Sequence, residues 1–314
     1  MRSYYLKRLA MGVLLVFSVS VLVFSMMHLM PGDPIDLMVD RKVGQERREA
    51  LRREYGLDRS LPVQYLDWAM KILLRGDFGI ALRTKQPVTD QLSRRIPISL
   101  KLCGLMFLFE TLIAVPLGLL CAYKKDTWLD RLITNSSLVM TAVPSFWLCV
   151  ILIILFSVKL KWFPISGYEQ ARHWVLPVLS GVMGGVAGTI RLTKTEALDA
   201  MRQRYVTTAY AKGLPHRVVV VRHVLRNALI LITVLMCMSI PWLISGAVIT
   251  ERMFGIPGMG SLLINSIVMQ DYAVVQACVL IITTLTVAFN ILGDILIGVL
   301  DPRIRVSQME GAQV

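Results

Sequence analysis

Six stretches of this 314-residue chain, at 9–30, 98–123, 132–158, 174–190, 228–250 and 277–299, are predominantly apolar over 17 to 27 residues. A bilayer hydrocarbon core of ~30 Å takes about 20 such residues per helix. The pattern therefore predicts an all-α membrane protein with six transmembrane helices. Composition agrees, with 55% hydrophobic and 18% charged residues against roughly 25% charged in an average soluble domain. Disordered and fibrous chains are excluded. The first stretch follows Arg2, Lys7 and Arg8, as a signal core would, but it outruns the ~7–15 residues of such a core. It also meets Pro31-Gly32-Asp33-Pro34 rather than a small-residue cleavage site, so it reads as a retained helix.

The net charge of +13 sorts by side. With the N-terminus inside, sixteen Lys and Arg fall in the inner segments (1–8, 124–131, 191–227 and 300–314). Four fall in the short outer loops 159–173 and 251–276. The thirteen in 31–97 sit in a segment longer than the ~60 residues over which the positive-inside rule acts. Both termini are expected inside, and the positive charge is topological, so no nucleic-acid partner is expected. The division of the chain follows: 1–30 as tail and first helix, 31–97 as a large extracytoplasmic loop domain, 98–300 as a five-helix core, and 301–314 as an inner tail. Within 31–97, short helices are expected at 45–55 and 63–74, before a turn at Gly76-Asp77-Phe78-Gly79. The five cysteines lie in apolar stretches without a C-x-x-C pair and read as packing residues rather than disulfides or zinc ligands.

No constellation for catalysis emerges. H-E-x-x-H, G-x-S-x-G and G-x-x-x-x-G-K-[ST] are all missing, and His28, His173, His216 and His223 are scattered. No catalytic residue is assigned, and the chain is not expected to be an enzyme or to bind a cofactor itself. The informative segment is 191–227, which reads as helix, turn, helix: an amphipathic piece over 193–212, a break at Gly213-Leu214-Pro215, and a basic, apolar piece over 217–227.

The string Tyr205-Val206-Thr207-Thr208-Ala209-Tyr210-Ala211-Lys212-Gly213-Leu214, followed by His223-Val224-Leu225-Arg226-Asn227-Ala228, resembles the EAA loop of bacterial ABC importer permeases. The similarity is greatest to the dipeptide/oligopeptide/nickel branch. Pro31-Gly32-Asp33-Pro34, Tyr55-Gly56-Leu57-Asp58, Gly76-Asp77-Phe78-Gly79, Gln86-Pro87-Val88, the run Glu251–Gly260, Asp271-Tyr272 and Leu300-Asp301-Pro302-Arg303-Ile304-Arg305 resemble the same branch, in order, over about residues 1–306. The motif's Glu-Ala-Ala falls on Thr207, Thr208 and Ala209, its glycine on Gly213, and its later Ile-x-Leu-Pro on His223, Val224, Leu225 and Arg226. The Glu and Pro are absent here, as in that branch.

The resemblance implies a type I importer permease fold in a bacterial inner membrane. It implies a second, homologous permease subunit, two ATPase subunits on the inner side that bind ATP and Mg, and an extracytoplasmic solute-binding protein, besides membrane lipid. The coupling loop, seated on an ATPase, would use Thr207, Thr208, Ala209, Lys212, Gly213, Leu214, His223 and Leu225. The loop 251–276, with Glu251, Phe254, Pro257, Gly258 and Gly260, is expected to be a re-entrant wall at the outer mouth or an ordinary outside turn, since irregular backbone at membrane depth needs protein or water against it.

Charge within a span costs roughly 2.5–3.5 kcal/mol near a helix centre, so Glu110 and Asp294 are candidates for the pathway or for intramembrane anchoring. Lys101, about 180° around the helix from Glu110, snorkels outward instead. Gly181/Gly185 and Gly184/Gly188 form two small-x-x-x-small faces for close packing, and Pro144 and Pro241 are expected to kink their spans. Short peptides are the expected substrate. Nickel is the alternative, with Met27, His28 and Met30 as weak candidate ligands. An ATPase-independent secondary transporter or channel is the reading from another class.

Overall fold

The computed structural model describes residues 2–29, 44–54, 57–215, 218–225 and 247–300, and four helical positions between (Leu229, Ile232, Met236, Ile240). The described residues are almost wholly helical, with one isolated bridge between Ile80 and Pro87. In order they form α1 (Arg2–Leu29), α2 (Gln45–Glu54), α3 (Leu61–Arg75), α4 (Val88–Tyr123), α5 (Trp128–Thr141), α6 (Ser145–Leu152, continuing into a π-helical Ile153–Lys159), α7 (Ala171–Met201), α8 (Arg204–Ala211), a π-helical Val219–Leu225, α9 (Met259–Val268) and α10 (Tyr272–Leu300).

Helices α1, α4, α7 and α10 are each long and apolar enough to cross a bilayer. The expected span at 132–158 is not one kinked helix. It breaks into α5 and α6, bent by 102°. Pro144 stands at the N-cap of α6, because its ring excludes the carbonyl four residues back and drives Val143 out of the helical region. The expected span at 228–250, with Pro241 and Cys237, lies largely outside the described residues, as do Met30, Pro31-Gly32-Asp33-Pro34 and the tail 301–314. The spanning helices also overrun their apolar stretches. Helix α4 starts ten residues before position 98, and α7 runs eleven residues past Ile190.

Two compact units divide the chain. The first comprises Met1–Leu9, Ser99–Ile256 and Leu285–Val314. In it α4 and α7 approach so closely that a Cβ on Gly181 would lie 2.5 Å from Met106 Sδ, and one on Gly118 2.6 Å from Thr193 Cβ. Among the described residues a Cβ on Gly184 or Gly188 would meet nothing within 4 Å. Only one of the two small-residue faces packs here. Lys101 Nζ sits 4.5 Å from the Trp174 ring centre, at the start of α7, which fits the snorkelling expected of it.

The second unit comprises Ala10–Ile98 and Pro257–Thr284. Its core gathers Ala81, Val88, Leu92, Met259, Leu262, Val274, Ala277 and Cys278. A smaller aromatic contact joins α3 to α1. The Tyr65 hydroxyl and Ser20 Oγ share a 2.8 Å hydrogen bond, while the Tyr65 and Trp68 rings lie 5.5 and 5.8 Å from that of Phe24. Gly76 ends α3 at φ 62°, where the turn was expected. Cys103, Cys121, Cys149 and Cys278 are buried and form no disulfide.

Candidate functional site

Beyond Ile190 the sequence turns polar, yet α7 stays helical to Met201. Lys194 Nζ donates to Asp130 Oδ1 at 2.6 Å. Asp130, buried in the first turn of α5, also accepts from the Asp126 backbone N–H at 3.0 Å and from Thr134 Oγ1 at 3.2 Å. Thr127 caps the helix start by accepting from the Asp130 N–H, the geometry that its Thr-x-x-Asp spacing favours. One carboxylate thus ties the α4–α5 turn, α5 and the α7 extension together.

Sequence reading placed these residues only by charge side. The Thr-x-x-Asp pattern marks the helix start, but nothing local points to a lysine 64 residues on. Breaking a buried ion pair costs about 3–5 kcal/mol, and the lower end applies because Lys194 keeps some solvent contact. Asp130→Ala is therefore expected to lower the thermal midpoint of the purified protein by several degrees, and Asp130→Asn by less.

The amphipathic piece expected over 193–212 is two helices, because the chain breaks at Arg202-Gln203 before α8. Val206 and Ala209 of α8 are buried with Val219 and Val224, flanked by Met201, Tyr205 and Leu214. Thr207, Thr208, Lys212 and Gly213 are exposed. The reversal follows at once: the N–H of Gly213 bonds the Tyr210 carbonyl at 2.9 Å, and the N–H of Lys212 that of Thr208 at 3.1 Å. Gly213 has φ 75°, a left-handed conformation that costs other residues about 1–2 kcal/mol. Of the coupling residues expected from sequence, Thr207, Thr208, Lys212 and Gly213 share the outward surface, while Ala209 belongs to the internal packing. Leu214 and Leu225 are half-buried. The His223 side chain lies outside the described residues.

The expected outer-loop residues separate differently. Glu251, Phe254, Gly258 and Gly260 are buried, with Ser99 Oγ donating to Glu251 Oε1 at 2.5 Å. Pro257 is half-buried. Gly255, at φ 62°, closes a helix end in which the Ile256 N–H reaches the Glu251 carbonyl. Four of the five side chains thus build the loop rather than its surface. The exposed large apolar positions are Ile267, Val268 and Met269 at the end of α9, which sequence reading did not single out.

Glu110 is 2% exposed. Thr189 Oγ1 donates to its Oε1 at 2.6 Å, and a Cβ on Gly185 would lie 2.6 Å from Oε2. Its carboxyl fills the notch that glycine leaves in α7, which is the anchoring geometry. Asp294, also buried, pairs with Arg8 Nη1 at 3.2 Å. The start of α1 and the end of α10 therefore lie at one level. Because Arg8 is part-exposed, a double-mutant cycle of Arg8→Ala and Asp294→Asn is expected to return a coupling of about 0.5–1 kcal/mol. Met27 and His28 sit on α1 with side chains outside the described residues. Among the described residues no group of three or more His, Cys, Asp or Glu could hold a metal.

Long apolar helices, glycine-mediated helix packing and a braced, exposed hairpin define a multi-pass membrane transport component. The chain belongs to the family of binding-protein-dependent transport system inner membrane components, whose profile matches residues 114–306 and whose N-terminal profile matches residues 1–103. It is 35% identical to the oligopeptide transport system permease protein AppB of Bacillus subtilis, covering 97% of this chain and 99% of that one. It is likewise 35% identical to a putative peptide transport system permease of Brucella abortus, at the same coverage. The glutathione transport system permease protein GsiC of Escherichia coli K12 is 32% identical, again over 97% of this chain and 99% of its own. Among solved structures, an amino acid ABC transporter covers 65% of this chain and 92% of its own at TM-score 0.48 and 15% identity. Family membership overturns the reading as an ATPase-independent transporter or channel.

Proposed function

We propose that this chain forms half of the translocation path of an ATP-driven importer of short peptides. It pairs with a homologous permease and receives cargo from an extracytoplasmic binding protein. The carrying observation is near full-length similarity to permeases named for oligopeptide, peptide and glutathione transport, which favours peptides over nickel. ATP and Mg bind in two partner ATPase subunits. Both termini lie on the inner side, a reading supported by the charge asymmetry and by the Arg8–Asp294 pair, which sets the start of α1 beside the last turns of α10.

The exposed stripe Thr207, Thr208, Lys212 and Gly213 seats α8 on an ATPase, and ATPase closure moves α8 together with α7 as a rigid body. The loop 251–276 forms a wall at the outer mouth. Copurification of the tagged chain from its native membrane is expected to recover a second permease and ATPases. Uptake in that strain is expected to be competed by short peptides and not by nickel. Recovery of the chain alone in repeated gentle preparations would overturn the reading.

A further inference from the structure

Helix α3 falls in the segment that sequence reading assigned to an aqueous loop domain, yet its side chains sort into three stripes rather than two. At 100° per residue, Tyr65, Trp68 and Ile72 form one stripe, part-buried, with the two aromatic rings against α1. Gln64, Lys71 and Arg75 form a second, polar stripe. Leu66, Met70 and Leu73 form a third, and they are 54%, 52% and 82% exposed. A helix between protein and water needs only the first two stripes.

The contact with α1 says what the third one meets. The apolar span of α1 is Leu6–Met26, and Tyr65 bonds Ser20, six residues before its end. At 1.5 Å per residue that is about 9 Å inside the span, within the ~5–10 Å at which interfacial helices lie. Phe17, Val21 and Leu22 of α1 are exposed apolar side chains over the same stretch of that helix. A cavity of about 580 Å³ beside the helix is lined by Arg53, Arg59, Lys71 and Arg75, by Asp67 and Asp77, and by apolar side chains that include Met70 at its edge. It has a net basic edge where phospholipid phosphates would lie.

We infer that α3 is an interfacial helix, set into the leaflet at the C-terminal end of α1 with Leu66, Met70 and Leu73 in the acyl chains. This goes beyond the transport reading and rests only on α1 crossing the membrane. The test places nitroxides at Leu66→Cys, Leu73→Cys and Lys71→Cys in the complex with its copurifying subunits, in nanodiscs of phosphatidylethanolamine and phosphatidylglycerol. The unsubstituted chain serves as labelling blank and an unchanged thermal midpoint as the folding control. Collision with dissolved oxygen is expected to exceed collision with a water-soluble nickel chelate by about tenfold or more at 66 and 73, with the order reversed at 71. Chelate reaching 73 as readily as 71 would place α3 in water. Shielding of 66 and 73 from both reagents would mean that protein covers them. Either result overturns the inference.

Discussion

Gly213→Trp is expected to reduce import by at least tenfold while the chain still accumulates in the membrane. The two costs of the substitution can be separated. Any side chain at φ 75° carries about 1–2 kcal/mol of backbone strain, which Gly213→Ala bears as fully as tryptophan does. Among the described residues a Cβ there meets nothing within 4 Å, so the first atom of the indole is free of them and the ring extends from the exposed turn that follows α8. Alanine is accordingly expected to retain most import. In the tryptophan variant, ATP hydrolysis by the copurified complex should no longer respond to the loaded binding protein. Equal loss in both variants, tracking a common fall in thermal midpoint, would assign the effect to strain and remove the docking argument. Uptake of labelled peptide beside membrane abundance is the measurement.

Gly185→Val attacks the opposite kind of contact. The first atom of the new side chain would lie 2.6 Å from Glu110 Oε2, against a carboxyl with almost no surface left to retreat to. Either α4 and α7 separate, or Glu110 leaves Thr189. Overpacking costs about 1–3 kcal/mol, and an unsatisfied buried acceptor adds about 1–3 kcal/mol. The variant is expected to lose several kcal/mol and to be cleared from the membrane. Gly184→Ala and Gly188→Ala, one residue before and three after, with no described neighbour within 4 Å of the added carbon, should accumulate normally. Glu110→Gln should lie between, since the amide oxygen still accepts from Thr189. Immunoblots of membrane fractions and thermal unfolding in detergent distinguish these three levels.

Local chemistry made much of the architecture legible. Apolar runs mark α1, α4, α7 and α10 because lipid leaves a helix as the economical way to satisfy the backbone. Gly213 announces the turn, since few other residues tolerate its φ. Pro144 marks a discontinuity, but sequence alone does not separate a kink from a 102° break, which depends on what the two halves pack against. The Asp130–Lys194 brace and the seating of Glu110 in the Gly185 notch join positions 64 and 75 residues apart, and periodicity carries no information at that range. The packing of the outer-loop residues was hidden for a related reason. Gly255, Pro257, Gly258 and Gly260 signal an irregular path, whereas the burial of Gly258 and Gly260 depends on packing that the local pattern does not carry. The third stripe of α3 was present in the residues of the helix expected at 63–74, but the polar composition around it reads as an extracytoplasmic segment.

Helix α7 has mechanical proportions as well as chemical ones. It runs unbroken for 31 residues, about 46 Å at 1.5 Å per residue, and its close contact with α4, from Gly181 to Thr193, includes a crossing at Gly185 near its middle. About 24 Å lies between that crossing and Met201, and about 21 Å between it and Ala171. The arms are nearly equal, so α7 is geared close to one to one. A tilt about the glycine notch displaces the end beside α8 and the end beside Trp174 by similar distances in opposite senses. Pro177, which removes a backbone hydrogen bond from the far arm, makes that arm the more compliant. The brace at Lys194, set on the near arm, stiffens the end beside α8.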